Sequence, residues 1–136
     1  MQPPGRPQNI NPEELGPARG FSHATVAGDT VWLGGQIGSD ATGTVVEPGD
    51  VVAQFARAIR NVSIALRAAG CIPSDTVKLT YYVTDLELYK ENLTAIGSAF
   101  RDVFGDHYPA STLIQVSSLF NSAALVEIDA VAVRRP

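Results

Sequence analysis

The sequence predicts an α+β fold: a mixed sheet with two helices on one face, in the order β-β-α-β-α-β-β. Three observations carry this. Two stretches repeat apolar residues at steps of 4, 3, 4 and 3: Phe55, Ile59, Val62, Leu66 and Ala69, then Tyr89, Leu93, Ile96, Phe100 and Val103. Val77, Leu79, Tyr81 and Val83 alternate with Lys78, Thr80 and Tyr82, the period of a half-buried strand. In the last strand Val126, Ile128, Ala130 and Ala132 line one face, and Leu125, Val131 and Val133 share the other with Glu127 and Asp129.

Residues 1–20 read as an N-terminal arm, either disordered or laid across the domain, because four prolines and three glycines break any period. Residues 21–136 read as one domain. Phe21–Ala27 and Thr30–Leu33, separated by Gly28-Asp29, make a hairpin with His23 in its first strand. Gly34-Gly35-Gln36 ends the second strand. Paired glycines there let another group approach the backbone. Asp50 is placed to cap a helix over 51–69 and Gly70 to end it. A strand over 76–83 follows, then the second helix from Asp85 to Gly105, a strand over 111–119 and a last strand over 125–133. Two helices hide only one face of such a sheet, so the other face predicts an oligomer.

A chain of 136 residues is long enough to bury a core. Apolar residues at 45% and charged residues at 18% exclude a disordered chain. No apolar run is long enough to span a membrane, and the polar, proline-rich start has no signal-peptide core. The lone Cys71 makes no intrachain disulfide, so a reducing cytoplasm is expected. A net charge of −4 argues against a nucleic-acid partner. Phosphate-loop, dinucleotide, zinc-protease and serine-hydrolase motifs are absent, and two histidines are few for a metal site. No metal and no cofactor are expected.

Glu127 is the most suggestive residue. A carboxylate in an otherwise apolar strand is costly unless it is paired, wetted or used. It sits either at a solvent edge or subunit seam, or in a site as a general base acting on water. His23, Cys71 and Trp32 read as packed or partly exposed structural residues, and Arg57, Arg60 and Arg67 as a solvated helix face.

Several pieces, in order and at matching spacing, resemble the YjgF/RidA family, to which the name L-PSP endoribonuclease is often attached. They are Gly34-Gly35-Gln36, where the family has Ser-Gly-Gln; the helix end Ala68-Ala69-Gly70; Val77-Lys78 to Val83 running into Asp85-Leu86; Tyr108-Pro109-Ala110; and Val126 to Val133. The resemblance implies a chorismate-mutase-like trimer with small-ligand pockets between subunits. It also implies cofactor-free hydrolysis of 2-imino or enamine acids to 2-keto acids and ammonia. Residue by residue it places the water-orienting glutamate at Glu127 and pocket residues at Phe21, Gly34 and Gly35. The family's carboxylate-binding arginine falls on Ser111, an asparagine on Leu93 and a cysteine on Leu113.

An arginine fork binds a carboxylate through two charge-assisted hydrogen bonds. Serine offers one neutral bond. Losing ~3–5 kcal/mol of transition-state binding lowers kcat/KM by roughly 10²–10⁴-fold. The sequence thus predicts weak activity on 2-iminopropionate and 2-iminobutyrate and an atypical substrate, one lacking the carboxylate or gripped elsewhere; Arg19, two residues before Phe21, is a candidate for that grip, and the sequence does not decide whether it reaches the site. The alternative is a non-catalytic binder of small ligands. A ribonuclease reading rests on the family label alone, since no acid–base pair for RNA cleavage and no basic aromatic strip support it.

Overall fold

A computed structural model describes residues 5–136. Among the described residues seven strands form one sheet: β1 (Gln8–Ile10), β2 (Ala24–Ala27), β3 (Thr30–Leu33), β4 (Gln36–Ile37), β5 (Thr76–Val83), β6 (Ala110–Gln115) and β7 (Val126–Val133). Their spatial order is β1-β2-β3-β7-β5-β6, and β4 pairs with β7 off that path. All pairings are antiparallel except β5 with β6. Three α-helices among the described residues, α1 (Val51–Ala68), α2 (Leu86–Glu91) and α3 (Leu93–Phe104), and a 3-10 turn at Pro73–Asp75 complete the mixed fold.

Helix α1 forms where its stripe predicts. The Asp50 side chain accepts from the Ala53 N–H at 3.0 Å. At the other end Cys71 N–H bonds to Leu66 C=O and Gly70 N–H to Arg67 C=O, and Gly70 takes φ +87°. That double bond pattern is the Schellman motif, which needs the left-handed residue glycine supplies. The stripe packs on β7, β4 and β3, and α3 packs against α1. The buried face of β7, with Val126, Ile128, Ala130 and Ala132, is the one read from the sequence.

Several local readings are corrected. First, the prolines and glycines of the arm predicted no strand, yet β1 pairs with β2, and Leu15 is buried in the core. Pro7 and Pro12 flank β1, so their missing N–H groups lie outside the ladder. Second, the glycine pair interrupts the chain between β3 and a further short strand, β4.

Third, Val77 is exposed and Thr76 is buried, because a bulge between Thr76 and Lys78 slips the register by one residue. Fourth, the single second helix is two. The Asn92 side chain donates to Leu88 C=O at 2.8 Å, Asn92 leaves helical geometry, and α3 restarts at Leu93. The break shifts the phase: Ile96, Phe100 and Phe104 are buried, while Leu93 is 54% exposed. The strand expected over 111–119 ends at Gln115. It is an edge strand exposed throughout.

The sheet face away from the helices is open in the single chain. One register row across it runs Thr25, Trp32, Val131, Lys78 and Ala110, with Trp32 46% exposed.

Candidate functional site

The β4–β7 pairing sets Ile37 opposite Glu127, and the alternation of β7 turns Glu127 away from the helices. The chain between β3 and β4 passes over it. A Cβ at Gly35 would fall on the Glu127 carboxylate, and one at Gly34 would lie 2.6 Å from Ser22 C=O. Glycine at 35 is therefore what lets the carboxylate lie against the backbone. Burial, and then the charge of Asp129, raise the Glu127 pKa above the ordinary carboxylate value. Asp129 itself accepts from the Tyr82 hydroxyl at 3.1 Å. Among the described residues no ion pair engages Glu127.

The arm completes the cleft through His23. This residue precedes β2 and is buried, not a partly exposed member of the strand. Its Nδ1 lies 3.1 Å from Gln36 Nε2 and its Nε2 2.7 Å from Gly16 C=O. With Gln36 donating to Nδ1, the ring hydrogen sits on Nε2 and donates to Gly16. His23 thus ties the arm to β4. The resulting cleft holds about 570 Å³ and is lined by Arg19, Phe21, Gly35, Asn121 and Glu127 among others.

Ser111 and Leu93 belong to a second concavity. The β5–β6 register sets Ser111 beside Leu79 and Leu113 beside Tyr81, on the helix-bearing side of the sheet. A groove of about 230 Å³ runs between α3 and the sheet edge, lined by Leu93, Ile96, Phe100, Arg101, Tyr108 and Ser111 among others. Leu113 is exposed on β6 and lines neither concavity. Within one chain, then, Phe21, Gly34, Gly35 and Glu127 share the cleft, while Ser111 and Leu93 sit across the sheet from them.

Sequence reasoning gave no place in either concavity to Asn121 or Arg101, and took Gln36 only as part of the Gly34-Gly35-Gln36 motif. Only Arg101 left a signal: it stands four residues after Gly97, a glycine in a helix interior. Among the described residues no three His, Cys, Asp or Glu side chains gather as a metal cluster would require. No described helix is long and apolar enough to cross a membrane.

A family model described as Endoribonuclease L-PSP matches residues 11–134. A goat (Capra hircus) 2-iminobutanoate/2-iminopropanoate deaminase is 31% identical over 125 residues, 92% of this chain and 85% of that one. A RutC family protein of Pyrococcus abyssi is 33% identical over 122 residues, 89% of each chain. Among solved structures, E. coli TdcF with bound serine superposes with a TM-score of 0.80 at 29% identity, covering 94% of this chain and 99% of that one.

Proposed function

The chain belongs to the Endoribonuclease L-PSP family, the family of the RidA proteins it resembles in sequence, and from that premise we propose that it hydrolyses a small imine or enamine at Glu127. The observation that carries this reading is a half-buried carboxylate of raised pKa, packed on Gly35 and facing a cleft large enough for a small molecule. Deaminases among the relatives support the reaction class.

In the reaction Glu127 takes a proton from water as the water oxygen bonds to the imine carbon. The nitrogen is protonated, the C–N bond breaks, and the hydroxyl proton leaves as the C=O forms. The balance is imine plus water to carbonyl plus ammonia. A general base in this role contributes about 10²–10⁴-fold. Its raised pKa brings its proton affinity closer to what such a transfer needs.

The reading takes the protein as a cytoplasmic homotrimer without cofactor, its ligand lying between subunits. Two features support a ligand site shared between copies. The cleft and the groove lie on opposite sides of one chain's sheet, so a neighbouring copy is needed to bring them together. The open face around Trp32 is apolar enough to be covered. Phe21, Gly34 and Gly35 then form the Glu127 side, and Ser111 and Leu93 the neighbour's side. The substrate is atypical because Ser111 puts a neutral hydroxyl where the family has a cation.

The test is release of ammonia and carbonyl product from a panel of imines generated in situ. We expect turnover that falls about 10²–10⁴-fold in Glu127→Gln with the fold intact. Binding without turnover across the panel would establish the second reading, a non-catalytic ligand binder, which the serine at position 111 favours.

A further inference from the structure

We propose that His23 is a positioning residue of the Glu127 cleft, and that it latches the cleft's rim to the glycine turn only as the neutral imidazole. This deepens the reading above by adding a second titrating group to the same site, and rests on that reading only where turnover is measured.

The rim is a clasped loop. Leu15 is buried in the core, and Gly16 comes so close to Gly43 that a Cβ on Gly16 would stand 2.8 Å from Gly43 Cα. From that anchor Pro17, Arg19, Phe21 and Ser22 line the cleft. His23 closes the loop, its Nε2 lying 2.7 Å from Gly16 C=O. Its ring also meets the Phe21 ring edge-on at a centroid distance of 5.3 Å. One side chain fixes both the start of the loop and the aromatic residue beside the cleft.

The other ring nitrogen faces the turn on which Glu127 lies. Gln36 Nε2 is 3.1 Å from His23 Nδ1 and 3.2 Å from Gly34 C=O. The Gly34 N–H in turn donates to His23 C=O at 2.9 Å. His23 and Gly34 are joined through backbone and through the Gln36 amide, and the next residue, Gly35, is the one packed on the Glu127 carboxylate.

These partners demand one state of the ring. A carbonyl only accepts, so Gly34 C=O turns the Gln36 amide nitrogen toward itself and toward Nδ1. Nδ1 must then accept, which leaves the ring hydrogen on Nε2 for Gly16. A second ring hydrogen, on Nδ1, sets donor against donor. Turning the Gln36 amide over relieves that contact only by aiming its oxygen at the Gly34 carbonyl. Protonation breaks the latch to Gln36 and leaves the clasp on Gly16. Histidine is the side chain that changes charge at roughly pH 5–8. The charged groups lining the same cleft, Arg19 from the arm and Glu127 from β7, act on an imidazolium with opposite sign, and β2 and β4 bring no charged residue.

NMR of the full chain, taken from about pH 8 down to about pH 5, tests the proposal. At the upper end the ring nitrogens should show the hydrogen on Nε2. As pH falls, protection of the Gly34 amide, corrected for the intrinsic exchange rate, should drop about 10- to 100-fold. In His23→Gln the new amide can donate to Gly16 and accept from Gln36 without titrating, so that protection should stay level. Glu127→Gln should keep the wild-type fall. For an imine that is turned over, KM should rise several-fold toward the acid end in wild type and not in His23→Gln, while the Glu127 limb persists in both. The proposal is overturned if the ring hydrogen sits on Nδ1, if wild-type Gly34 protection is level across the range, or if His23→Gln shows the same fall. The first two of these readouts need no variant. Absence of turnover would sink the catalytic reading, and the exchange data would still judge this one.

Discussion

The cleft over Glu127 is held by backbone contacts and buried polar brackets, whereas the groove beside Arg101 is walled by stacked rings. On the cleft side Gln54, fully buried, donates to Ala123 C=O at 3.1 Å and accepts from Leu125 N–H at 2.8 Å, pinning the turn that brings Asn121 to the lining. Asn61, also buried, donates to Ile37 and Ser39 carbonyls at 3.0 and 2.8 Å, which holds β4 and the segment after it. On the groove side Phe100 stacks on Phe104 and on Tyr108 at centroid distances of 4.9 and 5.4 Å. Buried hydrogen bonds have sharp geometric demands, and a stranded partner costs ~1–3 kcal/mol. Apolar walls adapt to the shape beside them at lower cost. The contrast suits a cleft that positions a reacting water and a groove that accepts a ligand body.

Removing a bracket should have the largest effect. Gln54→Ala empties a fully buried site and takes the side-chain partner from the partly buried Leu125 N–H and Ala123 carbonyl, so we expect ~2–4 kcal/mol of destabilisation by urea unfolding. A loss under 1 kcal/mol would mean that water or a shifted turn replaces the bracket, and that the cleft is no stiffer than the groove.

Gly35→Ala tests the close approach itself. Its Cβ would occupy the Glu127 carboxylate position, so the carboxylate must move. A displacement of about 1 Å at a catalytic group costs roughly 10²-fold. We expect that loss in kcat/KM.

The pH dependence separates burial from charge. Glu127 binds its proton more readily folded than unfolded, because burial and Asp129 raise its pKa above 4.5. As a base it must be deprotonated, so the acid limb of kcat/KM lies above 4.5. Asp129→Asn removes a like charge, favours the charged carboxylate and moves that limb to lower pH. Burial is the larger cause, so the limb should stay above its ordinary place. The same linkage makes stability fall as pH rises from 4.5 through the raised pKa, a slope that Glu127→Gln should remove.

Tyr108→Ala carries the smallest effect. The ring is 64% exposed and touches Phe100 by stacking, so a loss of ~0.5–1.5 kcal/mol is expected. A larger loss would show that the groove wall is as constrained as the cleft.

The Glu127 half of the candidate site was legible in the sequence because its parts are local or lie on one alternating strand. Two glycines before Gln36 announce a close approach, and a carboxylate in an apolar strand announces a cost that needs a reason. The other half was not legible as a surface. Ser111 and Leu93 were found by resemblance alone, and Arg101 has no meaning until α3 lies against the sheet edge. His23 was misread because its burial comes from Gly16 and Gln36, residues 7 and 13 positions away.

By itself the sequence determined α1 from cap to terminal glycine, the hairpin of β2 and β3, and which face of β7 is buried. Each of these is set by interactions within a few residues or by one strand's own period. Only the tertiary structure decided that three residues of the arm pair with β2, that the chain after Gly35 returns to β7, and that a bulge turns Val77 outward. It also decided that Asn92 divides the second helix and exposes Leu93, and that Ser111 and Glu127 lie on opposite sides of the sheet. The physical reason is common to them. Register, pairing and phase after a break depend on partners distant in the chain, and a one-residue slip turns every following side chain to the other face.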